Sequence, residues 1–133
     1  EKLGLKPAMT LKSEIHLVKE VPANSPVGYG GTAITKSATK LAIITLGYSD
    51  GIPRNTSNAA GVFVAGKKAP IIGRVSMDQF VVELGADSTA QTGDIAEVFG
   101  ENGYSIDDWA MAANTINYEI VTRISPRVPR IYV

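Results

Sequence analysis

Gly61-Val62-Phe63-Val64-Ala65-Gly66-Lys67-Lys68-Ala69-Pro70-Ile71-Ile72-Gly73-Arg74-Val75 is the stretch on which the fold turns. Two short β-prone runs, 61–65 and 69–75, flank the polar Gly66-Lys67-Lys68, which predicts a hairpin with a tight turn. Upstream, Leu41-Ala42-Ile43-Ile44-Thr45-Leu46 is a nearly continuous apolar run closed by Gly47. Such a run suits a strand buried on both faces, at the centre of the sheet. Downstream, Asp78 to Leu84 and Ile95 to Phe99 read as further strands on either side of a polar loop. Leu11 to Val21 alternates, with Ile15 and Leu17 on one side and His16 and Val18 on the other; this suits a half-buried strand, with a short amphipathic helix as the alternative.

Only the last third changes period. Ser105 precedes Asp108 by three residues, a helix N-terminus in which the hydroxyl caps and the acid faces the positive helix end, and Trp109, Met111, Ala112 and Ala113 follow. After Asn114-Thr115, a second possible cap, Ile116, Ile120, Val121 and Ile124 form an amphipathic stripe that predicts a helix to about Arg123. The prolines in Arg127-Val128-Pro129-Arg130-Ile131-Tyr132-Val133 favour extended chain. The expectation is a mainly β, small barrel or sandwich-like domain with one or two short helices near the C-terminus.

Composition agrees with one core. The 133 residues are 44% hydrophobic and 20% charged, with Lys+Arg 13 balancing Asp+Glu 13. Balanced charge leaves no electrostatic footprint for nucleic acid or an anionic membrane, and no run approaches membrane-spanning length. The lack of cysteine excludes thiolate metal sites and disulfides, and with no visible export signal it points to the cytoplasm. The one histidine, His16, has no metal or triad partner in the pattern, so no metal site is expected. The chain begins at Glu1 rather than Met and reads as a piece of something longer.

Four segments carry candidate chemistry. Gly28-Tyr29-Gly30-Gly31 sets a phenol among glycines, where backbone can pass close to a ligand; on this segment alone a hairpin tip with an exposed aromatic is the preferred reading. Gly47-Tyr48-Ser49-Asp50-Gly51-Ile52-Pro53-Arg54 leaves a strand end and puts a phenol and a guanidinium in one loop, a combination able to orient a carboxylate or phosphate. Asp50-Gly51 and Pro53 there are ordinary turn chemistry. As a strand, Gly73 to Phe80 would place Arg74, Ser76, Asp78 and Phe80 on one face, where Arg74 and Asp78 can pair, and Val75, Met77 and Gln79 on the other. Asn117-Tyr118-Glu119 reads first as helix surface.

Taken together, Leu5-Lys6-Pro7-Ala8-Met9, Gly28-Tyr29-Gly30, Leu46 to Arg54, Gly73-Arg74-Val75-Ser76-Met77-Asp78-Gln79, Asn117-Tyr118-Glu119 and Arg127 to Tyr132 closely resemble the C-terminal domain of the alanine racemase family, over essentially the whole chain. The resemblance implies residues 1–133 as the single C-terminal β domain of a two-domain, pyridoxal-phosphate-dependent enzyme. Its other part would be an N-terminal barrel, and it would work as a head-to-tail homodimer. Its reaction would interconvert L- and D-alanine and supply D-alanine for peptidoglycan. Inverting an α-carbon needs acid/base groups on both faces of the cofactor. By resemblance, one is a barrel lysine and the other is Tyr29, delivered in trans. Met77 corresponds to the contact that binds the substrate carboxylate through its backbone amide, and Tyr118 to a tyrosine on the cofactor phosphate. Tyr48, Arg54, Arg74 and Asp78 correspond to an access corridor for a small zwitterion. Ile52, at a position often aromatic in the family, leaves specificity open. A serine or broad-specificity racemase, or a non-catalytic β module binding a small molecule or protein, are the alternatives. Without a barrel, the segment by itself is expected to be inactive.

Overall fold

The computed structural model describes residues 3–28, 31 and 33–133. Among the described residues the chain forms eight strands: β1 (Leu11–Val21), β2 (Pro26–Val27), β3 (Ala33–Ile34), β4 (Thr39–Ile44), β5 (Gly61–Val64), β6 (Lys67–Pro70), β7 (Phe80–Glu83) and β8 (Ile95–Phe99). Two helices follow, α1 (Ile106–Ala112) and α2 (Asn117–Thr122). Six strands form one antiparallel sheet in the order β6-β5-β8-β1-β4-β7, while β2 and β3 form a separate ribbon. The outer strands of that sheet nearly meet: Ile71, just past β6, bridges Val82 of β7, and Ile72 N donates to Val81 O at 2.9 Å. Curling the sheet almost shut removes most of the unpaired edge that an open sheet would expose.

The long strand β1 runs over the expected residues as strand, not helix. Its alternation breaks at His16, however. Ile15 pairs with Ile44 and Leu17 with Ile43, so one extra residue is accommodated and a bulge forms. Beyond it the inward residue is Val18, opposite Ala42, and Leu17 is left exposed, which overturns the placement of Ile15 and Leu17 on one side. Strand β4 is likewise not central in the strand order. Ala42 and Ile44 are fully buried, but Leu41 and Ile43 only half-buried, because the barrel-like sheet has one dry face. The hairpin forms with a tighter turn than the lysines suggested. Ala65 and Gly66 both have positive φ, 51° and 77°, the mark of a type I′ turn, and Val64 pairs directly with Lys67.

The helices lie against this core. Ser105 accepts from Asp108 N at 3.0 Å while the Asp108 carboxylate accepts from Ser105 N at 2.8 Å, the reciprocal cap read from the sequence. This cap starts α1 so that Trp109 turns inward. There its indole N–H donates to Val98 O at 2.7 Å and its ring meets Phe80 edge-on, with centroids 5.9 Å apart. Helix α2 begins after Ile116 rather than at Asn114-Thr115. Asn114 instead takes a left-handed conformation and turns the chain, leaving Ile116 exposed while Ile120 and Ile124 are buried. Among the described residues no helix is long and apolar enough to cross a membrane.

Tyr104 gives the fold a pH dependence. Burial, with a smaller contribution from the Asp108 carboxylate, raises its phenol above the ordinary value of 10.0. In alkali the unfolded chain therefore loses this proton first, and the native state binds the greater number of protons. Its contribution to stability is complete below about pH 10 and falls as pH rises from there through the native ionisation. Urea unfolding of wild type and Tyr104→Phe between about pH 8 and about pH 11 should show a shallower alkaline decline for the variant. Parallel declines would remove Tyr104 as the cause.

Candidate active site

Three chain segments meet at one rim of the barrel-like sheet. The first is the β2–β3 ribbon. Thr35, almost fully buried, ties down its base: its Oγ1 donates to Pro22 O at 2.8 Å and accepts from Ser25 N at 2.9 Å, and Asn24 N donates to Thr35 O at 2.7 Å. Tyr29, Gly30 and Thr32 of this segment lie outside the described residues. Gly28 is described, at φ 81°, and a Cβ there would stand 3.4 Å from the backbone nitrogen of Arg74. The ribbon and the 73–79 loop are thus nearly in backbone contact.

The second segment is the turn that follows β4. Leu46 is buried, the chain turns at Gly47, and Tyr48–Asp50 form one turn of 3-10 helix. The Asp50 carboxylate accepts from Gly47 N at 3.0 Å and closes the turn on itself. Tyr48 N donates to Ser76 O and Ser49 N to Met77 O, both at 3.0 Å. The third segment, 73–79, supplies those carbonyls. It is not the alternating strand expected from its sequence. Ser76 N donates to Gln79 O at 2.8 Å, making a local turn that exposes Met77 while Val75 stays buried. Arg74 and Asp78 do not pair. Asp78 accepts from Ser49 Oγ at 3.0 Å instead.

Gly47 is what lets the second and third segments approach. A Cβ at this position would overlap the carbonyl oxygens of both Ser76 and Met77, so any side chain would force the loops apart. The contact also aims a donor. The Ser76 carbonyl and the Met77 N–H belong to one planar trans peptide and point in opposite directions. Holding Ser76 O against Tyr48 N therefore turns Met77 N–H away from the Tyr48 turn, and that N–H donates to no described residue.

Tyr48, Arg54, Arg74, Val75, Ser76 and Met77 line an open cleft of about 230 Å³ at this rim. Arg54 and Arg74 are exposed, and neither makes an ion pair with a described residue. Two guanidinium groups, a phenol and an unspent backbone donor suit a small carboxylate. The sequence brought forward Tyr48, Arg54, Arg74, Met77 and Asp78; the first four line this cleft and Asp78 lies beside it, through Ser49. Tyr118 stands apart. It is exposed and lines another groove with Leu5, Lys6, Pro7, Ser105 and Asp107. Sequence reasoning missed Ser49, Asp50 and Arg127: Asp50 looked like ordinary turn chemistry and Arg127 lay in an extended tail. Arg127 Nη2 donates to both Ser49 Oγ and Asp50 Oδ1 at 2.8 Å.

The family model described as alanine racemase, C-terminal domain, matches residues 8–132. The chain belongs to this family. An alanine racemase of Beutenbergia cavernae is 50% identical across 100% of this chain, which corresponds to 36% of that protein. The crystal structure of alanine racemase from D-cycloserine-producing Streptomyces lavendulae superposes with a TM-score of 0.93 at 52% identity, covering 99% of this chain and 35% of that one. The alanine racemase of Bacillus anthracis with bound L-Ala-P superposes at 0.87 with 37% identity, over 97% of this chain and 33% of that one. The chain thus spans about a third of the length of the alanine racemases it matches, and a C-terminal domain of this family is mainly β, as found here.

Because the rim depends on bare backbone contact, Gly47→Ala should cost about 2 kcal/mol or more of stability. It should also shift the backbone amide resonances of Tyr48, Ser49 and Met77 well beyond those of the barrel-like sheet. A variant with wild-type stability and unmoved Met77 would mean the loops have slack.

Proposed function

We propose that this chain is the C-terminal domain of a two-domain, pyridoxal-phosphate-dependent alanine racemase, which contributes half of an active site completed by a partner subunit in a head-to-tail homodimer. One observation carries the reading. Gly28 at the end of β2, the Tyr48 turn and the Arg74–Asp78 loop are packed together at one rim, so residues remote in sequence converge on a cleft that is partly open to solvent. A cleft of that shape leaves room for another surface to close it.

The Tyr118 groove offers a phenol and Lys6 to an anion, but also the Asp107 carboxylate, and it is open to solvent. Such a groove can add a hydrogen bond to a phosphate held elsewhere and cannot hold the cofactor by itself. This fits a chain that touches pyridoxal phosphate while another domain binds it. When bound, the cofactor supplies an electron sink that acidifies the substrate's α-proton.

This chain's own residues then divide the work. Tyr29 takes or returns a proton at the substrate α-carbon on one face, the role for which its glycine neighbours leave steric room. The Met77 N–H donates to the substrate carboxylate. Tyr118 donates to the phosphate. Arg54 and Arg74 attract and orient the carboxylate in the corridor, where Tyr48 and Asp78 limit the size of what passes. D-alanine formed this way feeds peptidoglycan synthesis. Alone, the domain lacks the opposite acid/base group and is inactive.

Replacing the C-terminal third of the Beutenbergia cavernae alanine racemase with this chain tests the proposal. The graft should racemise alanine. Tyr29→Phe in the graft should slow racemisation by about 10²-fold or more while α-proton exchange with deuterated solvent survives for one enantiomer and the cofactor's absorbance band persists. Equal loss of exchange for both enantiomers, or loss of the band, would contradict the assignment.

A further inference from the structure

We propose that Arg127 is a positioning residue for substrate-carboxylate binding, acting through the Tyr48–Asp50 turn on the Met77 amide; the inference rests on the racemase reading above. The sequence alone puts Arg127 in a tail 78 positions from Ser49. The fold brings that tail across the turn as a strap. Ser125 N donates to Asp50 O at 2.9 Å, and Gly51 abuts the Arg123 carbonyl, so the chain leaving α2 is seated on the turn before Arg127 is reached. Arg130 secures the far end by donating to Ile124 O at 2.9 Å and Val128 O at 2.7 Å.

From this strap one guanidinium nitrogen, Nη2, reaches two acceptors on consecutive residues, Ser49 Oγ and Asp50 Oδ1. Both contacts propagate. Asp50 Oδ2 holds Gly47 N, so fixing Oδ1 fixes the carboxylate that closes the turn. Ser49 Oγ has a single proton. With Arg127 donating to its oxygen, that proton is directed toward Met77 O at 2.8 Å or Asp78 Oδ1 at 3.0 Å. Removing the guanidinium frees the hydroxyl to turn elsewhere and leaves the Asp50 charge uncompensated beside a cleft meant for carboxylates. The Met77–Asp78 peptide, next along the chain from the one that presents Met77 N–H, then loses its side-chain tether and keeps only the backbone bond from Ser49 N to Met77 O.

Asp50 is largely shielded, at 13% side-chain exposure, while Arg127 is 62% exposed. With the guanidinium itself in solvent, a pair of this kind adds little to global stability. Its effect should fall on local geometry. The substrate carboxylate is bound equally in ground and transition states, so weakening its contact raises KM and spares kcat.

The experiment uses the same dimeric, cofactor-loaded graft. Arg127→Ala should raise KM for L-alanine about three- to tenfold, the factor expected for losing a charge-assisted hydrogen bond, with kcat within about twofold and Tm nearly unchanged. Arg127→Lys should recover part of the loss. Ser49→Ala should also raise KM, and the double variant should be no worse than the more severe single one, because both act along one path. A crystal structure of the Arg127→Ala graft should show the Ser49–Met77 contact lengthened. An active parent whose KM is unmoved by Arg127→Ala, a collapse of kcat, or additive losses would each overturn the assignment while leaving the racemase reading intact. An inactive parent graft would overturn the racemase reading and this inference with it.

Discussion

The contact between the backbone of residues 47–49 and the carbonyls of Ser76 and Met77 is the constraint on which the rim depends. It is made of main-chain atoms on both sides, so its geometry is insensitive to rotamer choice and tolerates no side chain at Gly47. Bonds of this kind are individually worth about 1 kcal/mol. Their value here is directional. A planar peptide clamped at its oxygen has its N–H aimed, and a donor aimed before substrate arrives needs no reorganisation when charge comes near.

The clamp can be rigid only because its two ends rise from a sheet that is itself nearly closed. Ile44 lies three residues before Gly47 and is fully buried; Phe80 follows the loop and packs on Trp109. The bridge between Ile71 and Val82 ties the start of the 71–79 connection to the strand at its end. The 71–79 loop is therefore fastened at both feet, the arrangement by which a scaffold presents functional residues.

How far the sequence foretold this differs between scaffold and site. Strand-prone runs located β1 and β8 to the residue, and the Ser105–Asp108 spacing located the start of α1. Alternation misled wherever tertiary contact overrode it. The bulge at His16 is set by pairing with β4, and no local pattern encodes it. Residues 73–79 alternate well enough to pass for a strand. Yet their backbone groups are used by the Tyr48 turn, and an exposed Met77 is the result. The cleft residues were legible as unusual types in turn-rich segments and as a family pattern. The links that hold them, Ser49 to Asp78 and Arg127 to Asp50, span 29 and 77 positions and follow from the fold alone.

The charge arrangement at the rim supports a half-site over a self-contained pocket. Asp50 and Asp78 lie next to the cleft and would repel a carboxylate, but both are already engaged, the first by Arg127 and Gly47 N, the second by Ser49 Oγ. Arg54 and Arg74 are not engaged by described residues. The local field therefore favours an anion at the mouth, where unpaired cations are solvated at little cost. A self-contained pocket would have to bury those same guanidinium groups against partners within the chain, because unpaired buried charge is expensive. Leaving them solvated at an open rim is inexpensive, and a carboxylate-bearing ligand entering there would complete the pairing.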